Sequence, residues 1–145
     1  MTTQVRFGIG NALEDYAKAW NERDIEKILS FFTEDGIMEY AGSGTIFQGK
    51  EEIRGEIVRI FEAWPDNRFE WPLAFFAGNT AAMEWVRYAT HTGDYPDMPA
   101  TGKSISQRGV SIVVTRGNDI ERHTSYMDRL ALMQQLGLMP EKQQE

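Results

Sequence analysis

The sequence predicts an α+β domain in which three helices come first, a curved antiparallel sheet follows, and a short helix ends the fold. Apolar residues recur at helical spacing before Pro65, whereas beyond it they alternate with the period of strands. Two pairs of strand-like segments are joined by short turns, as in an antiparallel meander. Because the helices precede the strands instead of alternating with them, this order argues against a parallel βαβ sheet.

The first two helices are predicted close together in the chain. The first spans about residues 7–21, with an apolar stripe of Ala12, Leu13, Tyr16, Ala17 and Trp20. Asp24 is suited to be the N-cap of the second helix. That helix is expected to end at residues 34–36 and to bury Ile25, Ile28, Leu29 and Phe32.

A short strand over residues 37–40 and a Gly/Ser turn over residues 41–44 lead to the third helix. Gly49 precedes this helix and Pro65 stops it. Its apolar stripe is formed by Ile53, Ile57, Ile60, Phe61 and Trp64. We expect the three amphipathic helices to fill the concave side of the sheet.

The later strands are predicted over residues 69–76, 80–91, 104–115 and 120–127, with turns at residues 77–79 and 116–119. The second of them would be about 40 Å long if fully extended, so we expect it to bend or bulge. Asp128 is placed to cap a final helix, whose predicted stripe is Leu130, Met133 and Leu136. Gly137 suits the left-handed position that follows such a helix.

Composition limits the classes of function. The chain has 145 residues, which predicts one domain over residues 1–145. Lys and Arg total 15 against 22 Asp and Glu, and a net charge of −7 makes nucleic acid a poor partner. No cysteine is present, which excludes disulfides and thiolate chemistry. Residues 1–7 lack the apolar core of a secretion signal and no run is long enough for a membrane span, so we expect a cytoplasmic protein without membrane partners.

Strand alternation predicts which side chains could meet in a hollow under the sheet. On the last strand His123, Ser125 and Met127 share one face, and on the two strands before it Arg87, Gln107 and Ser111 face the same way. Aromatic walls are expected from Tyr16, Trp20, Phe61, Trp64, Trp71 and Trp85. A concave apolar site with few convergent polar groups is the usual form of a small-molecule pocket. The further predicted ligand contacts are Tyr40 and His91.

His123 is the best single candidate for acid/base chemistry, because the ordinary histidine pKa lies near neutrality. A structural histidine is the plain alternative, and Asp128 is better explained as a helix cap than as a catalytic group. Arg87 on an inward face would need a partner, which could be Glu84, Glu121 or a ligand. The two histidines lack metal-ligand spacing, and phosphate-binding glycine loops and a Gly-x-Ser-x-Gly motif are absent. We therefore expect no metal and no cofactor.

Five passages resemble the SnoaL-like branch of the nuclear-transport-factor-2-like superfamily. They cover almost the whole chain and are Ala19-Trp20-Asn21-Glu22-Arg23-Asp24, Phe32-Thr33-Glu34-Asp35, Phe47-Gln48-Gly49-Lys50-Glu51-Glu52-Ile53, His91-Thr92-Gly93 with Pro99-Ala100-Thr101-Gly102-Lys103, and residues 120–137. The resemblance implies a cone-shaped fold that serves as a cup for an apolar small molecule. It also implies a homodimer formed through the convex face of the sheet.

The resemblance further implies a chemistry. SnoaL-like cyclases close a ring by an intramolecular aldol step, in which an aspartate two residues after the histidine matching His123 moves the proton. Ser125 occupies that position here. In ketosteroid-isomerase-like proteins Tyr16 matches the oxyanion donor, but Tyr40 and Val110 stand at the two acids. In limonene-epoxide-hydrolase-like proteins Arg87 matches the arginine, but Ala89 and Ser125 stand at the aspartates.

Three hypotheses follow from these residues. The leading one is a cofactor-independent enzyme that performs proton transfer, as cyclisation, isomerisation or hydration/dehydration, on an apolar carbonyl compound. In it His123 is the acid/base, Tyr16 and Ser125 are donors, and Arg87 is an electrostatic partner. The second is a ligand-binding module that has lost the family's aspartate. The third is a structural homodimer whose interior is filled by side chains.

Overall fold

The computed structural model describes residues 12–139 and confirms the α+β prediction. Within this range the elements are α1 (Ala12–Glu22), α2 (Ile25–Ser30), β1 (Phe32–Tyr40), β2 (Thr45–Gln48), α3 (Lys50–Ala63), β3 (Arg68–Ala77), β4 (Thr80–Thr90), β5 (Ser104–Arg116), β6 (Asp119–Met127) and α4 (Arg129–Gln135). The strands form one sheet in the order β2-β1-β6-β5-β4-β3. All neighbours are antiparallel except β1 and β6, which run parallel.

The helices pack on one face of this sheet and share its core. The fully buried members of that core come from all three early helices and from the sheet, and they include Leu13, Ile28, Leu29, Ile53, Ile57, Ala81, Met83, Val113 and Ile120. A second buried cluster joins the end of α3 to α4 through Trp64, Met98, Leu132 and Leu136. The inward face of the sheet is therefore covered by helices, as the sequence predicted.

Two helix caps form as expected. The Asp24 carboxylate accepts a hydrogen bond from the Lys27 N–H (3.1 Å), and the Asp128 carboxylate accepts one from the Ala131 N–H (2.9 Å). Each bond satisfies a donor that the first helical turn would otherwise leave unpaired. Gly137 takes the left-handed conformation with φ of 74°, which ends α4 at the predicted point.

The second helix is shorter than predicted. It ends at Ser30, and Phe32 begins β1 instead of extending the helical stripe. The backbone N–H of Ile120 donates to the Phe31 carbonyl (2.7 Å), so the sheet captures the chain at this point. Phe32 is buried as the pattern required, but from a strand. The prediction also missed β2, a four-residue edge strand that pairs with the end of β1.

The bulge that was one expectation for the long strand β4 lies instead in its neighbour, β3. β4 pairs with β5 in an unbroken register from Thr80 to Thr90. The register shift occurs in β3 between Glu70 and Leu73. Pro72 lies in this interval and has no N–H to donate to a ladder, which accounts for the break.

The apolar stripe of α4 also differs from the prediction. Leu132 and Leu136 are buried, whereas Leu130 points outward with 54% of its surface exposed. The buried pair is four residues apart and thus lies on one face of the helix.

The first predicted helix begins before the described range, so its residues 7–11 lie outside it. None of the helices between residues 12 and 139 is both long and apolar enough to cross a membrane.

Candidate functional site

A cavity of about 400 Å³ lies between the inward face of the sheet and helices α1, α3 and α4. Most of its wall area is apolar, and polar side chains lie among the apolar ones. Eleven residues that the sequence predicted for the site line it, namely Tyr16, Trp20, Tyr40, Trp64, Trp85, Arg87, Gln107, Ser111, His123, Ser125 and Met127. Strand alternation therefore identified the inward faces of β4, β5 and β6.

Three other predicted residues lie outside the cavity lining. Phe61 packs edge-on against Trp20, with ring centroids 5.8 Å apart, and Trp71 stacks on Phe69 at 5.5 Å. His91 is fully buried and stacks on Trp64, and its Nδ1 is 3.1 Å from the Thr101 hydroxyl. Burial lowers the pKa of His91. These side chains support the walls from behind, so they are not placed for direct ligand contact.

Four polar side chains form a continuous hydrogen-bonded chain in the cavity wall. The Tyr16 hydroxyl is 2.7 Å from His123 Nδ1, and His123 Nε2 is 3.0 Å from the Ser111 Oγ. The Ser111 Oγ is 3.3 Å from the Ser125 Oγ. Ser111 and Ser125 are directly opposed in the β5–β6 register, which fixes this last contact. The chain thus runs from helix α1 across two strands to the cavity.

The direction of the protons along this chain follows from donor counting. The Trp85 indole N–H, which can only donate, reaches the Ser111 Oγ at 3.0 Å. If His123 carried its proton on Nδ1, the Tyr16 O–H would have no acceptor among the described residues. We therefore assign the proton to Nε2, with Tyr16 donating to Nδ1. Ser111 then accepts twice and donates to Ser125, whose own O–H remains for a ligand.

His123, in the middle of this hydrogen-bonded chain, is neutral at physiological pH. Burial lowers the pKa of His123 to about 4 and raises the pKa of Tyr16 well above its ordinary value. Both shifts have the same cause, since burial disfavours the charged form of each group. Both ring nitrogens are already bonded to protein hydroxyls. The imidazole therefore serves better to orient hydroxyl protons than to take a proton directly from a ligand.

Glu56 is a cavity-lining carboxylate that the sequence analysis missed. It is 1% exposed, although it belongs to a helix. It accepts hydrogen bonds from the Tyr40 and Tyr95 hydroxyls, the latter at 2.7 Å, and forms an ion pair with Arg59 at 3.1 Å. A signal was available, because Glu56 lies between Ile53 and Ile57 on the buried stripe of α3. A carboxylate on the apolar face of a helix is rarely buried without a partner or a function.

Glu56 lies beside a position at which a related family has a catalytic acid. Tyr40 stands where the resemblance to ketosteroid-isomerase-like proteins places a catalytic acid, and its hydroxyl donates to the Glu56 carboxylate. Asp128 also lines the cavity, but its carboxylate caps α4. Among residues 12–139 no three His, Asp or Glu side chains gather in an arrangement that could hold a metal ion.

Comparison with known proteins supports the resemblance seen in the sequence. The family model of the SnoaL-like polyketide cyclases matches residues 10–136. An assigned SnoaL-like polyketide cyclase from Jannaschia sp. CCS1 has a TM-score of 0.81 at 15% identity, over 95% of this chain and 100% of that chain. TsrD from Streptomyces laurentii has a TM-score of 0.79 at 21% identity, over 90% and 96% of the two chains.

A third solved structure has the ketosteroid-isomerase-like fold and contains trimethylamine. This protein from Catenulispora acidiphila has a TM-score of 0.77 at 20% identity, over 90% of this chain and 95% of that chain. At such identities the likeness to the three structures shows the fold alone. No curated protein matches the sequence.

Proposed function

The chain belongs to the SnoaL-like polyketide cyclase family, and we propose that it is a cofactor-independent enzyme acting on an apolar carbonyl compound. The proposed reaction is a proton transfer that forms an enolate, which leads to cyclisation, isomerisation or hydration/dehydration. The observation that carries this proposal is the pairing of a hydroxyl donor, Ser125, with a buried carboxylate, Glu56, in the wall of one apolar cavity.

Ser125 is the proposed donor to the carbonyl oxygen of the substrate. Its hydroxyl ends the chain that begins at Tyr16, so the protons of the preceding groups are all directed toward it. Donors fixed in advance in a site with little water stabilise developing negative charge more than donors in water do. In this role His123 acts through Ser111 and Ser125 and stays neutral throughout. Ser125 thus takes part as a donor, not as the base that the family's aspartate provides.

Glu56 is the proposed proton acceptor. Its carboxylate would remove the proton from the carbon next to the carbonyl, leaving an enolate whose oxygen is bonded by Ser125. In an isomerisation the carboxyl group returns the proton to another carbon. In a cyclisation the enolate carbon attacks a second carbonyl of the same molecule, and the carboxyl group protonates the new alkoxide. No electrons are exchanged with a further reactant in either route.

The walls of the cavity suit such a reaction. Trp20, Trp64 and Trp85 supply flat apolar surface, and Met38 and Met83 supply adaptable side chains. An apolar enclosure strengthens the interaction of fixed donors and carboxylates with the reacting atoms. We also propose that the homodimer implied by the family forms through the outer face of the sheet, which leaves the cavity free.

The proposal is tested by exchange of substrate protons with solvent. Diketones, cyclic enones and aryl ketones are incubated with the protein in D2O, and loss of the signals of protons next to the carbonyl is followed by NMR. Glu56→Gln should slow the exchange by about 100-fold or more, the range of a general base. Gln retains an acceptor for the two tyrosine hydroxyls, so the fold should persist, which a melting curve checks.

Glu62→Gln is the matched control, since Glu62 is an exposed carboxylate on the same helix. It should leave the exchange rate unchanged. Equal rates for the wild type and Glu56→Gln would refute the role of Glu56.

The ligand-binding module is the second candidate, favoured by the presence of Ser125 at the aspartate position. It predicts that compounds raise the melting temperature without any accelerated exchange.

A further inference from the structure

Arg87 is a buried cation that belongs neither to the hydrogen-bonded chain from Tyr16 to Ser125 nor to the contacts of Glu56. It lies on the inward face of β4, lines the cavity and is 8% exposed. No carboxylate of the described residues lies within 4.0 Å of its nitrogens. The two carboxylates that the sequence offered as partners are used elsewhere, because Glu84 pairs with Arg108 and Glu121 with Arg116. A buried charge without a counter-charge is costly.

The described groups that contact Arg87 are neutral. Its Nε donates to the Gln107 Oε1 and its Nη1 to the Asn67 Oδ1, each at 3.1 Å. Its guanidinium lies over the Trp64 ring, 4.6 Å from the centroid. The second terminal nitrogen, Nη2, bonds no described group. Because the Arg87 guanidinium lies in the cavity wall, Nη2 is the donor that is available to a ligand.

The amide groups beside Arg87 add further unused donors. A guanidinium can only donate, so Gln107 and Asn67 must turn their oxygens toward it and their NH₂ groups away. As a result Gln107 Nε2 and Asn67 Nδ2 are buried with no acceptor among the described residues, and so is Trp64 Nε1. The surroundings of Arg87 therefore hold an excess of donors beside a positive charge, and of these residues Arg87, Gln107 and Trp64 line the cavity.

Glu56 does not neutralise this charge by contact. Its carboxylate accepts from Tyr40, Tyr95 and Arg59. Burial lowers the pKa of Arg87 to about 10, which still leaves the guanidinium protonated at neutral pH. What Arg87 lacks is a negatively charged acceptor in direct contact with its guanidinium.

We propose that the ligand of this cavity is an apolar acid whose carboxylate is bound by the Arg87 guanidinium. The inference rests on the proposed function, because it adds a carboxylate to the carbonyl compound that the cavity would hold. An Arg–carboxylate pair is planar and charge-assisted, so it would both anchor the molecule and fix its orientation. The apolar body then lies against the tryptophans of the cavity, which Ser125 and Glu56 also line.

The proposal is tested with matched pairs of probes of nearly the same size and shape, of which one carries a carboxylate and the other a neutral amide. Naphthoate, cyclohexanecarboxylate and hydrocinnamate are each titrated calorimetrically against the primary amide of the same acid at neutral pH. The wild-type protein should bind at least one acid about tenfold or more tightly than its amide, as a charge-assisted hydrogen bond requires. Equal affinities within every pair, or no binding of any acid at millimolar concentration, would overturn the inference.

Two variants and one control assign the preference to Arg87. Arg87→Met removes the cation and should bring the acid-to-amide ratio to about one. Gln107→Glu is nearly isosteric and gives Arg87 an internal carboxylate, so it should abolish the preference even if Arg87→Met does not fold. Arg108→Met should retain it, because Arg108 is an exposed arginine on the outer face of β5. A preference that survives Gln107→Glu would refute the assignment.

This outcome is separate from that of the proposed function. An acid preference without proton exchange would leave the Arg87 anchor standing and refute the enzyme. Exchange that depends on Glu56, without any acid preference, would do the opposite and would indicate that Arg87 stabilises the developing enolate instead.

Discussion

His123 lies at the centre of the hydroxyl chain, and its burial has a consequence for stability. Because burial lowers its pKa to about 4, the folded protein holds this ring neutral where an unfolded chain would protonate it. The unfolded state therefore binds more protons between about pH 4 and 6.5. Stability should rise with pH across this window and fall as the solution becomes more acidic.

The corresponding prediction compares the wild type with His123→Gln. Glutamine can accept from Tyr16 and donate to Ser111 without titrating. Between pH 7 and 5.5 the wild type should lose roughly 1 kcal/mol more of its free energy of unfolding than the variant. Urea denaturation at each pH measures this difference. Parallel stability curves would show that the ring already has an ordinary pKa in the folded protein.

The positions of side chains on the cavity wall were predictable from the sequence where only the two-residue alternation of a strand was needed. Alternation along β4, β5 and β6 placed Arg87, Gln107, Ser111, His123 and Ser125 on the cavity wall. Glu56 was overlooked because the buried stripe of α3 was traced through its apolar residues only. The direction of the hydrogen bonds from Tyr16 to Ser125 could not be predicted, because it depends on the indole of Trp85 meeting Ser111 on the neighbouring strand.

At the scale of elements, a glycine holds the tryptophan wall in place. Gly109 lies opposite Trp85 in the β4–β5 register. A Cβ at this position would lie 2.3 Å from the Trp85 ring, far inside contact distance. The indole therefore crosses the strand where no side chain stands, which lets its N–H reach Ser111.

Gly109→Ala should displace this indole. The expected cost is about 1–3 kcal/mol of unfolding free energy, as for other overpacked sites, together with loss of the Trp85–Ser111 hydrogen bond. Denaturant unfolding followed by tryptophan fluorescence measures both effects. Gly42→Ala is the control, because nothing lies within 4 Å of its added Cβ, and its change should stay within about 0.5 kcal/mol. Equal stability of the two variants would contradict this account of Gly109.

Elements that depend on distant partners were the least predictable. The boundary between α2 and β1 is set by Ile120, nearly ninety positions away, which draws the chain into the sheet after Phe31. The parallel pairing of β1 with β6 likewise joins the two ends of the fold. Local caps such as Asp24 and Asp128, in contrast, formed as the sequence predicted, since each needs partners only three residues away.

At the scale of the whole molecule, the outer face of the sheet carries an apolar row. Leu73, Glu84, Val110 and Tyr126 are successive partners across β3, β4, β5 and β6. The three apolar members are at least 36% exposed. We predict that this face forms the homodimer interface, because paired copies would remove these side chains from water.

Sedimentation velocity tests this assembly. The wild type should sediment as a dimer at micromolar concentration, and Val110→Glu should shift it to a monomer by placing like charges in the centre of the contact. Since Val110 points away from the cavity, ligand binding should be retained. A wild type that remains monomeric over the whole concentration range would contradict the assembly and leave the site unaffected.

The proposed chemistry depends most on the protonation state of the His123 imidazole. If His123 is neutral with its proton on Nε2, then Ser125 is a donor to the cavity and the base must be sought at Glu56. Nitrogen NMR of the histidine ring at pH 7 measures this directly. We predict a protonated Nε2 and an unprotonated Nδ1, unchanged between pH 5.5 and 8. An imidazolium, or a ring protonated on Nδ1, would reverse the hydroxyl chain and contradict the proposed donor.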